Sequence, residues 1–175
     1  MELNEKAADF SLKGVDGKRY SLKDFAGAKA LVVVFSCNHC PYVQAYEDRM
    51  IAIQKDYQDQ GVRLVAINSN DADNYPEDDF NSMVARAKVK RFNFPYLWDE
   101  SQQVARAYGA THTPHLFVFD REGKLAYTGK IDDNWEQPSQ VKRQFLREAL
   151  DDLISGKKPR VAETHAIGCT IKWKR

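Results

Sequence analysis

The chain has 175 residues, enough for one globular domain with a proper core. It carries 26 Lys+Arg against 25 Asp+Glu, so no global field draws it to nucleic acid or to a membrane surface. No apolar run approaches the length of a membrane span. Residues 1–7 show no basic stretch leading into an apolar segment, and a cytoplasmic location is the default expectation.

Residues 8–12 and 20–22 alternate apolar and polar side chains about an Asp16-Gly17 turn, which predicts a β-hairpin. Residues 24–27 read as a short turn or helical fragment. Residues 31–35 are a continuous apolar run of strand length, suited to a central strand buried on both faces. After Pro41 the period changes. Val43, Tyr46, Met50, Ile53 and Tyr57 recur at helical spacing, Pro41 is tolerated in the first turn, and Gly61 closes the segment. Residues 62–67 predict the next strand, 68–76 a polar loop, 77–90 a helix and 94–98 a short extended piece. Ser101 can cap a helix through Tyr108 that Gly109 ends. Residues 115–119 form a strand that turns at 120–123 into a partner over 124–128. Residues 139–154 predict the last long helix, with Val141, Phe145, Leu150 and Leu153 near one face. This order gives parallel crossovers early and an antiparallel edge late. The main domain spans 1–155. The tail, 156–175, is basic, and Ile171 and Trp173 imply that its end docks on the body.

Ser36-Cys37-Asn38-His39-Cys40-Pro41 carries the chemistry. A strand here ends in C-x-x-C and opens a helix, whose N-terminus holds unpaired N–H groups and a partial positive charge. A thiol at that place loses its proton more easily. Cys37 is the candidate nucleophile at the helix mouth, and Cys40, one turn in, its resolving partner. Lowering a thiol pKa by two units is worth about 2.7 kcal/mol of thiolate stabilisation. Three cysteines are no disulfide scaffold, and such a pair reads as redox or metal chemistry. The metal reading would use Cys37 and Cys40 with His39, His112 or His165. Cys169 stands apart, as a small packing residue or as a third redox thiol brought near Cys37 by the tail.

Three features together resemble the thioredoxin fold, in its redoxin branch of AhpC/TSA and TlpA-like proteins. They are Ala8-Asp9-Phe10 with Leu12, followed by Leu22 and Asp24-Phe25; the strand running into Cys37-Asn38-His39-Cys40-Pro41-Tyr42; and Thr113-Pro114 just before a strand. The ending, Ile167-Gly168-Cys169-Thr170-Ile171-Lys172-Trp173-Lys174, is similar to a subgroup of small thioredoxin-like bacterial proteins. The resemblance implies an α/β fold of three layers about a central mixed sheet, with an N-terminal hairpin and a helical insertion. It implies a cis Pro114 opposite the cysteines, with the Thr113 backbone open to an extended substrate that pairs as one more strand. Tyr42 would border that groove. His112 and His115 flank the turn, one or both facing Cys37. His39, with Asn38 and Pro41, would modulate the thiols, since a histidine before the second cysteine resembles oxidising members of the superfamily. The buried acid of thioredoxin is replaced by Leu31; Glu47 on the following helix is a weak substitute for it and is expected rather to be a solvated helix charge. The threonine that peroxiredoxins place three residues before their cysteine is Val34 here, which weighs against the alternative of a thiol-dependent peroxidase. The implied activity is thiol–disulfide exchange, in which Cys37 attacks and Cys40 resolves. It needs no metal or organic cofactor, only thiol or disulfide substrates and a redox partner.

Overall fold

The computed structural model describes residues 1–175. Its centre is β3 (Ala30–Ser36), every residue of which is buried. Even positions of β3 (Ala30, Val32, Val34) face one core layer, and odd positions (Leu31, Val33, Phe35) face the other. A period of two divides the strand in this way, and each fully buried Val, Leu or Phe contributes roughly 1.5–3 kcal/mol. β3 pairs in parallel with β4 (Val62–Asn68), through the crossover helix α1 (Pro41–Tyr57), and antiparallel with β7 (His115–Phe119). β5 (Tyr96–Trp98) extends the sheet beyond β4, followed by the hairpin β1 (Ser11–Gly14) and β2 (Arg19–Ser21). β8 (Leu125–Gly129) closes the other edge, giving the order β2-β1-β5-β4-β3-β7-β8. This is the thioredoxin-like mixed sheet that the motifs imply.

Helices cover both faces. α1, α2 (Phe80–Lys90) and α4 (Phe145–Ile154) bring Met50, Met83, Leu146 and Leu150 to the even side. α3 (Gln103–Tyr108) brings Val104, Ala105 and Tyr108 to the odd side. No helix is long and apolar enough to cross a membrane.

Three helix starts differ from the sequence expectation, each because a carboxylate captures backbone N–H groups. The last helix begins at Phe145 and not at 139. Asp133 accepts from the N–H groups of Lys142 and Arg143 at 2.9 and 3.1 Å, which satisfies them outside a helix, so Val141 lies off the helical face. The helix expected over 77–90 is a 3-10 turn, Pro76–Asp78, then α2, because Asp79 accepts from Ser82 N–H at 2.7 Å and caps there. Asp99 accepts from Val104 and Ala105 N–H at 3.3 and 3.0 Å, so α3 starts at Gln103 with a left-handed Gln102, not Ser101, as its cap residue.

The tail lies against the body along much of its length. Thr128 N–H donates to Ala162 O, and Thr164 N–H donates to Thr128 O. Further on, β9 (Cys169–Thr170) pairs antiparallel with β6 (His112–Thr113). Ile171 is buried, while Trp173 stays half-exposed beneath the Arg106 guanidinium, 4.8 Å from its ring centre.

Candidate active site

The buried end of β3 delivers residues 37–40 into the interior, so Cys37 is 2 % and Cys40 1 % exposed. An accessible Cys37 at the helix mouth is therefore not what the fold builds. Cys40 is the N-cap residue of α1, with Pro41 first in the helix, and Cys37 lies three residues ahead of the cap. The helix N-terminus therefore acts on Cys40 rather than on Cys37.

The sulfurs form a row. Cys37 and Cys40 pack in one buried cluster with Val43, and Cys40 Sγ lies 2.9 Å from Cys169 Sγ. Cys37 Sγ is 3.5 Å from Thr113 Oγ1, and Cys40 Sγ is 3.5 Å from the Thr113 carbonyl oxygen. The Thr113-Pro114 peptide bond is cis. The middle sulfur is the most acidic of the three. The neighbouring Cys37 outweighs desolvation and, with Cys169 close by, lowers the Cys40 thiol. The neighbouring Cys40, then burial and the Asp78 carboxylate, push the Cys37 thiol far up. Burial, then its bond to Cys40, raises Cys169 to about 11.

Asn38 is locked in place. Its N–H donates to Asp78 Oδ1 at 2.7 Å, its amide donates to Glu77 O at 3.0 Å, and its Oδ1 accepts from Tyr96 at 2.8 Å. Asp78 also accepts from Asn68 and Asn70, each at 3.1 Å. This polar cradle has no sequence motif of its own. Its only sequence signal is a polar run, Asn68 to Asp71, directly at the end of a buried strand, and those four residues are buried.

Several expectations about the site need correction. The Thr113 edge is not open to a substrate strand, because Cys169 is already paired opposite it. The tail brings Cys169 to Cys40 rather than to Cys37. Glu47 is no solvated charge: it is buried and ion-paired with Arg86. His39 is exposed and hydrogen-bonded to neither sulfur, and Pro41 is exposed beside it. His112 bonds Thr111 Oγ1 at 2.8 Å. His115 accepts from Thr111 N–H at 3.2 Å and packs on Phe117, so its ring serves the sheet and not the thiols. His39, His112 and His165 are not gathered round the cysteines, and no group of His, Cys, Asp and Glu side chains is arranged to hold a metal ion. Tyr42 packs on Trp135 with ring centres 4.2 Å apart, at the border of the thiol cluster.

A C-x-x-C at a strand–helix junction, set against a cis proline, defines a thioredoxin-fold thiol protein. The chain belongs to the AhpC/TSA family, which it matches over residues 3–128. Among curated relatives it is 25 % identical over 139 residues to the thiol-disulfide oxidoreductase ResA of Bacillus cereus, covering 78 % of this chain and 75 % of that one. Among solved structures it is similar to an uncharacterized conserved protein of Geobacillus kaustophilus, with 41 % identity, TM-score 0.94 and coverage of 99 % and 93 %. A hypothetical protein of Sinorhizobium meliloti matches as well, at 40 % identity, TM-score 0.92 and coverage of 99 % and 96 %.

Proposed function

We propose that this protein is a thiol–disulfide oxidoreductase whose Cys37–Cys40 pair cycles between dithiol and disulfide, exchanging with protein or small-molecule thiols and disulfides. The carrying observation is the packing of the two thiols in one buried cluster where the sheet meets α1, with Cys40 as the helix cap. An ionised sulfur beside a protonated one is the state from which exchange starts, because the thiolate attacks and the neighbouring thiol resolves. The rigid Asn38 cradle supports this by fixing the loop between them. The kinship with ResA, named a thiol-disulfide oxidoreductase, points the same way. A peroxidase has less support, since Val34 is buried within β3 and offers no hydroxyl to a peroxide.

The test is equilibration of the protein in glutathione buffers of graded potential, with the linked cysteines mapped by peptide mass spectrometry. A Cys37–Cys40 linkage forming and dissolving reversibly supports the reading, together with loss of disulfide-reducing turnover in Cys37→Ser and Cys40→Ser. Undiminished turnover in both variants sinks it.

A further inference from the structure

We propose that Cys169 is a third exchanging thiol, which pairs with Cys40 and is the sulfur through which an external dithiol passes electrons to the buried pair. The inference rests on the redox reading of Cys37 and Cys40 given above. Three observations carry it.

The first is contact. Cys169 Sγ sits 2.9 Å from Cys40 Sγ, so a bond between them needs only a small side-chain adjustment. The second is access. Cys37 and Cys40 are buried, while Cys169 is partly exposed, so a reagent in solution meets Cys169 first. The third is that the tail is built to stay. Ile171 N–H donates to Thr111 O at 3.0 Å, and Lys172 N–H donates to Asn70 Oδ1 at 2.9 Å. Lys172 O accepts from Asp71 N–H and from the Gln102 amide, each at 2.8 Å. Gly168 lies so close to the turn that a Cβ there would stand 2.0 Å from Thr113 O. A segment held at so many points presents its sulfur to Cys40 in a fixed geometry, so the exchange does not require β9 to leave.

In the oxidised protein Cys37 and Cys40 are bonded. The Cys169 thiolate attacks Cys40 Sγ. The Cys40–Cys169 bond forms as the Cys37–Cys40 bond breaks, and Cys37 leaves as thiolate to take up the proton that Cys169 gave. This step is redox-neutral. One thiolate of an external dithiol then attacks the exposed Cys169 Sγ, and Cys40 departs as thiolate. Leaving is faster the more acidic the departing thiol, and Cys40 at the helix N-terminus beside Cys37 is lowered from the ordinary thiol value. The second thiol of the dithiol attacks its own sulfur in that mixed disulfide, closes the external disulfide and frees Cys169, which takes up a proton. Two electrons have passed from the dithiol to the protein disulfide.

The full-length Cys37→Ser protein, oxidised with one equivalent of diamide and digested unreduced, is expected to give a Cys40–Cys169 linked peptide. Free Cys40 and Cys169, or linkage only between two molecules, overturns the proposal. Cys169→Ser is expected to keep a Cys37–Cys40 disulfide that dithiothreitol reduces about ten-fold more slowly than in the wild type. An unchanged reduction rate overturns the relay while leaving the redox pair intact. A wild-type protein that never links Cys37 to Cys40 overturns the underlying reading and the relay with it.

Discussion

Cys40 receives more stabilisation of its charge than any other sulfur here, from a helix N-terminus and a thiol on either side. Its folded value is lowered from the value of about 8.5 for a free thiol. A depressed acid contributes stability that is present above the unfolded value and is lost as pH falls through the folded one. The ultraviolet thiolate absorbance of the reduced protein is therefore expected to persist to a pH well below the free-thiol value, with Cys40→Ser lacking that step. A single transition near the free-thiol value would refute the assignment. His115 behaves in the opposite chemical sense. Burial first, then the charges of His112 and the N-terminus, lower it to about 4, so the folded protein holds a neutral ring that the unfolded chain protonates below about pH 6.5. The unfolded state binds more protons across that window, and stability falls as pH drops from the higher value to the lower. His115→Gln is expected to flatten this part of the urea-midpoint profile. An unchanged slope would show that the ring carries no such linkage.

The elements that the sequence announces are those whose own period decides them. β3, β4 and β7 read as apolar runs, and α1 reads from the spacing of Val43, Tyr46, Met50, Ile53 and Tyr57. What it hides depends on distant partners. The start of α4 is set by Asp133, nine residues ahead of Lys142. The fate of Glu47 is set by Arg86, and the loop between the cysteines is set by Asp78, forty residues on. No local pattern encodes such pairings. The cysteine pair and the Thr113-Pro114 turn were legible because their motif is local, but their burial was not, because the tail that covers them arrives from the far end of the chain. Asp78→Ala makes this dependence measurable. It leaves three buried donors, on Asn38, Asn68 and Asn70, without an acceptor, at a cost of about 1–3 kcal/mol each. A urea titration is expected to show a loss of at least about 3 kcal/mol, whereas a change within about 0.5 kcal/mol would mean that the cradle is not structural. Gly168→Ala addresses β9 in the same way. Its Cβ would strike the Thr113 backbone, so the strand must lift from β6 and Cys40 become open to iodoacetamide. Unaltered alkylation would show that the turn absorbs the clash.

The whole chain is a two-sided sheet to which one long tail adds a third kind of contact. The tail runs from β8 by way of Ala162 and Thr164 to the cis-proline turn at Cys169, then to the 69–71 loop and Gln102 at Lys172. Its one deeply buried apolar side chain at that end is Ile171, which joins the core layer of Val104, Ala105 and Tyr108. That arrangement can fail in two ways. If the tail is part of the global cooperative unit, Ile171→Ala lowers the denaturation midpoint by the full cost of a buried Ile truncation, about 2–5 kcal/mol. If the tail opens as a local unit, the same energy appears in the opening equilibrium and the global midpoint barely moves. Few backbone hydrogen bonds tie β9 to the main sheet, since its partner β6 stands outside the seven-stranded ladder. Local opening is therefore the expected mode. Alkylation of Cys40 in Ile171→Ala should rise by about 30-fold or more, following the lost energy, while the main unfolding transition stays within about 1 kcal/mol of the wild type. A large fall in the global midpoint without faster alkylation would show instead that the tail and the sheet unfold as one.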